Sequence, residues 1–188
     1  MAGRLGGRPR LLVIGHGRHG KDTVAALLSE LFQLSVISSS EFAARKAVFP
    51  LVADLYDDWR AAYADRHAHR ALWFHAIRAY NLRPGPSLAE QILAVHHVYT
   101  GMRSRAEFEA SRNLFNLVIW VDASERVPPE PDSSMELTAA DADLVIDNNR
   151  DLEAVEAQLW AYVLEDGDGR VAADLHLGAA VSPAGDPA

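Results

Sequence analysis

A short apolar run that ends at a glycine-rich stretch constrains the fold of this chain more than any other feature. The run is Leu11–Ile14, and the stretch from Gly15 to Gly20 follows it directly. From Lys21 onward, apolar residues recur at intervals of three and four, which is the spacing of one helix face. An apolar run bounded by glycines is typical of a buried parallel strand. The sequence therefore predicts a strand, a tight loop and a helix that packs on a sheet.

The same alternation continues along the chain. Further apolar runs lie near residues 36–37, 97–99, 117–121 and 144–146, with helical patterns between them. Strands that alternate with helices predict an α/β fold, with a mostly parallel five-stranded sheet and helices on both faces in three layers. Ligands of such sheets bind at the carboxyl ends of the strands. Residues that follow these runs are therefore candidates for a functional site.

Local patterns refine the segments between the strands. A helix after the second strand is expected to end before Pro50, and residues 51–81 have a helical pattern. Ser104 and Glu107 have the spacing of a capping box. Residues 124–141 are rich in proline and charge, which predicts a mobile surface loop.

Composition limits the classes of protein to consider. The chain has 188 residues, enough for one domain, which we place at residues 1–165 and follow with a flexible tail at 166–188. The formal charge of −8 speaks against binding of nucleic acid through a broad basic face, and the absence of cysteine excludes thiolate sites. The first apolar run is too short to be a signal sequence or a membrane span. We therefore expect a cytoplasmic protein.

The glycine-rich stretch matches the pattern G-x-x-x-x-G-K, directly after a strand and before a helix, as that pattern requires. Its backbone N–H groups converge on phosphate oxygens, the helix N-terminus adds positive potential, and Lys21 adds a charge at the β- and γ-phosphates. We therefore predict a P-loop NTPase fold with ATP and Mg²⁺ as cofactors. The residues predicted to hold the nucleotide are Gly15, His16, Gly17, Arg18, His19, Gly20, Lys21, Asp22 and Thr23.

Two carboxylates are candidates for the metal site. Asp22 stands where the pattern has a serine or threonine that binds Mg²⁺, and a carboxylate is also a hard ligand for this ion. Asp122 ends the fourth predicted strand and is expected to hold Mg²⁺ through water. The alternative for Asp122 is the start of a turn.

Phosphoryl transfer depends on positioning and charge neutralisation, so Lys21 and an arginine near the transferred group are the expected catalytic residues. Arg103 follows a strand and a glycine and is the first candidate, with a surface ion pair to Glu107 as the alternative. Glu41 and Asp65 are candidates for a general base, or they serve only a helix N-terminus and a neighbouring arginine. A phosphate acceptor would need no base.

Candidate substrate residues lie between the second and third strands. Arg66 and Arg70 are four residues apart and, with Trp73, would share a helix face that clamps a nucleotide. The alternative is a solvated face with Trp73 packed inward. Ser39, just after the second strand, is added to the predicted substrate site.

The loop that ends in Gly-Lys-Asp-Thr at residues 20–23, with Arg18 inside it, resembles the loops of bacteriophage deoxynucleoside monophosphate kinases, within the nucleoside monophosphate kinase-like group. The resemblance extends more loosely to about residue 165. The stretches that carry it are Ser38-Ser39-Ser40, Asp65-Arg66, His69-Arg70, Gly101-Met102-Arg103, Trp120-Val121-Asp122 and Ile146-Asp147-Asn148-Asn149. It implies an ATP-dependent kinase in which Asn148 and Arg150 pack the adenine; a turn and helix cap is the other role for these two residues.

Three functions follow from the residues and this resemblance. Related phage kinases phosphorylate 5-hydroxymethyluracil in DNA, and the aromatic and basic segment 59–78 slightly favours this acceptor, since it suits an extruded base. A deoxynucleoside monophosphate kinase ranks almost level, with residues 124–141 as its lid. The third is a P-loop ATPase or switch without an acceptor. The expected partners are ATP and either DNA with a modified base or a deoxynucleoside monophosphate. We expect no association with a membrane, and if the chain is phage-encoded we expect it in the host cytoplasm.

Overall fold

The computed structural model describes residues 8–131 and 134–165, so the expected tail at 166–188 lies outside the described residues. The strands are β1 (Leu11–Ile14), β2 (Val36–Ser38), β3 (Val98–Thr100), β4 (Leu117–Asp122) and β5 (Leu144–Asp147). They form one parallel sheet in the order β2-β3-β1-β4-β5. The predicted fold class, a three-layer α/β P-loop fold with a five-stranded sheet, is confirmed.

Helices connect the strands and cover both faces of the sheet. They are α1 (Lys21–Phe32), α2 (Ser39–Ala43), α3 (Phe49–Val52), α4 (Trp59–Ala64), α5 (Arg70–Leu82), α6 (Leu88–Leu93), α7 (Arg105–Ser111) and α8 (Leu152–Glu165). The described residues also contain a π-helical turn (Ala44–Val48) and 3₁₀ turns at Asp65–His67, Arg112–Leu114 and Ala139–Asp141. Within the described ranges, no helix is both long and apolar enough to cross a bilayer.

Strand β1 lies at the centre of the sheet and is buried on both faces. Its residues alternate, because successive side chains of a strand point to opposite faces. Leu11 and Val13 belong to the core beneath α1 and α8, while Leu12 and Ile14 belong to the core beneath the helices between β2 and β4. The loop after β1 is therefore held in place by packing on both sides.

The helical segment after β2 differs from the prediction in two ways. Pro50 does not end a helix, because it stands in the first turn of α3, where its missing N–H is not needed. Residues 51–81 are not one continuous helical stretch: α3 ends at Val52, and Asp58 caps α4 by accepting hydrogen bonds from the amides of Arg60 and Ala61 at 2.8 and 2.9 Å.

The capping box predicted at Ser104 and Glu107 was wrong. The Ser104 side chain makes no capping hydrogen bond, and the Glu107 carboxylate accepts one from the Tyr99 hydroxyl at 2.7 Å. The amide of Arg105 instead donates to the carboxylate of Glu136 at 2.6 Å. A tertiary contact thus replaces the local one.

The segment predicted as a mobile surface loop, residues 124–141, is anchored at its C-terminal part. Met135 and Leu137 are 3% and 1% exposed and belong to the core. Arg105 forms an ion pair with Asp141. These contacts fix the C-terminal part of the segment against the core and the start of α7.

Candidate functional site

The loop from Gly15 to Gly20 requires glycine at its two ends. Gly15 has φ 144°, and a Cβ there would lie 2.5 Å from the carbonyl oxygen of Val121. Gly20 has φ 92°, and a Cβ there would collide with the side-chain amide of Asn148. Both residues thus have a backbone that favours glycine and a neighbour that leaves no room for a side chain.

Lys21 lies in the first turn of α1 with its side chain folded back over the loop. Its Nζ donates hydrogen bonds to the carbonyl oxygens of Gly15 at 2.9 Å and His16 at 2.6 Å. Burial and the nearby Arg103 guanidinium lower the pKa of Lys21 to about 8. A desolvated cation beside a second cation makes this place suited to an anion.

A carboxylate already occupies the mouth of the loop. Oε2 of Glu130 accepts a hydrogen bond from the Gly17 amide at 2.6 Å and another from Nη1 of Arg103 at 2.8 Å. The amide of Glu130 also donates to Nδ1 of His16 at 3.2 Å. Sequence analysis missed Glu130, because it lies 113 residues from Gly17 and no local pattern marks it.

His19 and Asn148 support the loop from behind. His19 is fully buried; its Nδ1 accepts from the Ala123 amide at 3.0 Å, and its Nε2 then donates to the Val127 carbonyl at 3.0 Å. Asn148 is buried as well, and its side-chain amide donates to the carbonyl of His19 at 2.8 Å. In this structure both side chains contact protein groups that position the loop.

An open cleft of about 1860 Å³ extends from the loop to α5. It brings together most of the residues predicted for catalysis and substrate binding. Those that line it are Gly17, Arg18, Lys21, Asp22, Ser39, Glu41, Arg66, Arg70, Trp73 and Arg103. The carboxyl ends of β1, β2 and β3 meet here, which explains why residues far apart in sequence share one site.

Two predicted acids lie outside this lining. Asp65 accepts hydrogen bonds from the Tyr56 hydroxyl at 2.7 Å and from Nε2 of His69 at 3.1 Å. Asp122 accepts from the amide and the hydroxyl of Ser124 at 3.2 and 3.0 Å, and so it caps its own turn.

The other predicted nucleotide residues are set back from the cleft. His16 forms edge-to-face ring contacts with Trp120 and His19. Thr23 and Arg150 are exposed, Thr23 in the first turn of α1 and Arg150 just before α8. Gly15, His16, Gly20 and Asn148 contact protein groups around the loop, whereas Thr23 and Arg150 lie at the surface.

The predicted helix face of Arg66, Arg70 and Trp73 does not form as expected. Arg66 lies in the 3₁₀ turn, where it donates to the Tyr63 carbonyl at 3.0 Å and stacks on the Tyr63 ring at 4.1 Å. Arg70 begins α5 and is exposed, while Trp73 is 7% exposed and packs edge-to-face on Tyr63. The two arginines reach the cleft from different elements.

The residues at the end of β2 are held by neighbouring groups. The amide of Glu41 donates to the Ser38 hydroxyl at 3.1 Å, which caps α2. The Glu41 carboxylate pairs with Arg45. Ser39 is nearly buried, and its hydroxyl lies 3.1 Å from the position of a Cβ on Gly101.

Glu107 is a second acid that sequence reasoning placed wrongly. It lines the cleft together with Tyr99, which donates to it. Burial raises the pKa of Glu107 above its usual value, although hydrogen bonds from Tyr99 and Asn81 oppose this change. The sequence patterns of β3 and α7 gave no signal for the contact between Tyr99 and Glu107, because this contact depends on how the helix docks on the sheet.

In the parts of the chain that the structure describes, no group of three or more histidine or acidic residues could hold a metal ion by itself. Of the two predicted metal ligands, only Asp22 lines the cleft. This fits Mg²⁺, which keeps several waters and commonly binds through one or two carboxylates and the phosphates of a substrate. Of the two carboxylates, Asp22 therefore stays the candidate ligand for such an ion.

Comparisons with known proteins add distant structural likeness. No family model and no curated protein matches the chain. The shikimate kinase of Aquifex aeolicus is similar over 85% of this chain and 99% of its own length, with 15% identity and a TM-score of 0.48. The protein TT1252 of Thermus thermophilus is similar over 85% of this chain and 98% of its own, with 18% identity and a TM-score of 0.40. The fold assignment rests on the strand order and the loop of this chain.

Proposed function

We propose that this chain is an ATP-dependent phosphotransferase that acts on a nucleotide. The observation that carries the proposal is the convergence of the Gly17 amide and Arg103 on a single carboxylate oxygen of Glu130, at 2.6 and 2.8 Å, beside the ammonium of Lys21. Donors that meet at one anionic oxygen are what a transferred phosphate requires.

The residues of the loop have separate tasks in this reaction. ATP supplies the phosphoryl group, and Mg²⁺ offsets part of the charge on its oxygens. The amide of Gly17 and the helix N-terminus at Lys21 orient the phosphates. Lys21 and Arg103 neutralise negative charge as the group is transferred, and Asp22 would hold the hydrated ion.

The far side of the cleft suits an anionic acceptor. Arg66, Arg70 and Arg78 all line it. Across residues 8–131 and 134–165, none of these three has an acidic partner within ion-pair distance. Uncompensated arginines around a cleft favour a phosphate-bearing ligand, because guanidinium groups match phosphate oxygens in geometry and charge.

The state of the two candidate bases favours a phosphate over a hydroxyl as the reacting group. Glu41 pairs with Arg45, and Asp65 lies outside the cleft lining. An acceptor phosphate needs no base, whereas a hydroxyl must transfer its proton to a nearby group. We therefore place a deoxynucleoside monophosphate first among the acceptors.

A base in DNA is the second candidate, and one observation favours it. Phe74 lines the cleft and is 50% exposed, next to a space of about 1860 Å³ that is open to solvent. An exposed ring at such a cleft can stack on an extruded base. For 5-hydroxymethyluracil, Glu41 would have to leave Arg45 to act as the base.

The experiment incubates the protein with γ-labelled ATP, Mg²⁺ and either each deoxynucleoside monophosphate or DNA that contains 5-hydroxymethyluracil. Label in a nucleoside diphosphate supports the first acceptor, and label in the polymer supports the second. Free phosphate alone would show a nucleotide hydrolase and overturn the proposal.

Two lysine variants control the experiment. Lys21→Ala should lower the transfer rate at least ~100-fold, because charge on the transferred group is no longer neutralised. Lys46→Ala removes an exposed lysine outside the cleft lining and should transfer at the wild-type rate. Equal activity of Lys21→Ala and wild type would place the site elsewhere.

A further inference from the structure

Glu130 holds the mouth of the phosphate loop through three hydrogen bonds. Its carboxylate accepts from the Gly17 amide and from Arg103, and its own amide donates to His16. The Glu130 side chain is 19% exposed, against 42% for Arg103. The contact is therefore a built part of the loop environment and not a loose surface pair.

The same donors cannot serve Glu130 and a nucleotide at once. A backbone amide has one N–H, and the Gly17 N–H points at Oε2 of Glu130 at 2.6 Å. The carboxylate also approaches the Gly17 backbone so closely that a Cβ there would lie 2.9 Å from it. A phosphate on Gly17 would need the space that the carboxylate fills.

Glu130 is an anion at neutral pH. Burial by itself would raise the pKa of Glu130, but the Gly17 amide, Arg103 and Lys21 together lower it below the usual value. The loop thus contains an internal negative charge with hydrogen-bonding oxygens, which are the two properties of a phosphate.

We propose that Glu130 is an internal competitor of the nucleotide: its carboxylate occupies the position of a phosphate in the free protein and is displaced when ATP binds. This inference rests on the proposed function of the loop. Displacement also breaks the ion pair of Arg103, whose Nη1 keeps its 3.0 Å hydrogen bond to the Ser134 carbonyl, so that the charge of the arginine becomes available to the transferred group only when a nucleotide is present. The apparent association constant for ATP is then the intrinsic constant multiplied by the fraction of free molecules in which Glu130 has left the loop. It is therefore lower than the intrinsic constant.

The test measures binding of a fluorescent ATP analogue with Mg²⁺ to the full chain and to two variants. Glu130→Ala removes the competitor, and the dissociation constant should fall by about tenfold. Glu130→Gln keeps the shape and one acceptor oxygen but removes the charge, so a smaller decrease is expected. The dissociation constants for inorganic triphosphate should decrease in the same order, from wild type to Glu130→Gln to Glu130→Ala, since the competition concerns the phosphates and not the base.

Glu125→Ala is the matched control. Glu125 lies in the same segment and is exposed, and its backbone amide, which the substitution keeps, donates a hydrogen bond to the Asn149 side chain. This variant changes the net charge of the protein by the same amount as Glu130→Ala. Its dissociation constant should equal that of the wild type, which separates the local competition from a general charge effect.

The outcomes separate this inference from the proposed function. If the wild type binds the analogue and Glu130→Ala binds it no more tightly than Glu125→Ala, Glu130 is no competitor, while the phosphotransferase proposal stands. If neither wild type nor variants bind the analogue, both proposals fail. The amide resonance of Gly17 gives a second readout: without nucleotide it should move in Glu130→Gln, and with saturating nucleotide it should coincide in variant and wild type.

Discussion

Lys21 shows, at the scale of a single residue, how the fold sets the chemistry of a side chain. The pattern around it predicted its position and its role, but not its protonation. Burial and Arg103 lower the pKa of Lys21 to about 8, whereas a free lysine stays charged far above that pH. The distance to Arg103 arises only in the folded chain.

The lowered pKa of Lys21 predicts a pH dependence of nucleotide binding. In the free protein, Lys21 loses its proton as the pH rises through about 8. A bound phosphate favours the charged form of Lys21, so binding takes up a proton above this pH. The affinity should therefore fall as the pH rises from 7.5 to 9.5. Once Lys21 is neutral in the free protein, the fall should be roughly tenfold per pH unit. Titrations with the fluorescent analogue measure this slope. A constant affinity over the whole range would show that Lys21 does not bind the phosphates.

A second prediction concerns Gly20 and Asn148. Gly20→Ala should destabilise the protein by more than about 2 kcal/mol, because an alanine meets both a left-handed backbone and the Asn148 side chain. Asn148→Ala alone loses the hydrogen bond to His19, at a cost of about 1 kcal/mol. In the double variant the collision is gone and only the backbone strain persists.

Denaturation in urea of the four proteins measures the free energies of unfolding for this cycle. The cost of Gly20→Ala should be clearly smaller in the Asn148→Ala background than in the wild type. Strictly additive costs would contradict the contact between the two residues.

At the scale of single elements, hydrogen bonds between near neighbours in sequence define where a helix begins. The short helix α6 has a complete capping box: the amide of Glu90 donates to the Ser87 hydroxyl at 3.2 Å, and the amide of Ser87 donates to the Glu90 carboxylate at 2.8 Å. Its apolar face buries Leu88 and Ile92 completely. The cap thus orients a helix that contributes to the core beside the cleft.

Ser87→Ala should lower the free energy of unfolding by about 1 kcal/mol, because the Glu90 amide loses its acceptor and the Glu90 carboxylate loses the hydroxyl as a donor. Ser29→Ala is the matched control, since Ser29 is exposed on α1 and alanine favours a helix interior. Chemical denaturation compares the two. An equal stability of both variants would show that the box adds nothing to α6.

The Ser104 pattern has the same spacing as the one at Ser87, yet only the latter forms. Glu107 turns toward Tyr99 and leaves the α7 N-terminus to Glu136, which comes from a segment more than thirty positions later. A capping pattern is thus reliable only where no tertiary partner competes for its acid. The break before α4 was not predicted; aspartate is a common N-cap residue, so Asp58 is the signal that the helical pattern of residues 51–81 concealed.

At the scale of the whole molecule, charge separates the two acceptor candidates. The chain carries a net charge of −8. Among the residues that the structure describes, Arg66, Arg70 and Arg78 line the far side of the cleft and form no ion pair. Three phosphate contacts predict that the logarithm of the affinity for duplex DNA falls with the logarithm of salt concentration with a slope no steeper than about −3. Anisotropy of a labelled duplex between low and physiological salt measures this slope. A much steeper slope would reveal a broader DNA surface and favour the second acceptor.

The sequence by itself determined the central strand, the phosphate loop and the alternation that makes an α/β sheet. These features depend on apolar spacing, glycine conformations and helix capping, which act over a few residues. Most of the residues that it predicted for catalysis and substrate binding line the cleft, because parallel strands place their carboxyl ends at one edge.

Only the tertiary structure decided the partners of these residues: Glu130 on Gly17 and Arg103, Asn148 behind the loop, and Glu107 on Tyr99. Each of these contacts joins different elements of the chain. Their formation depends on how helices and loops dock on the sheet, and that geometry has no trace in local spacing.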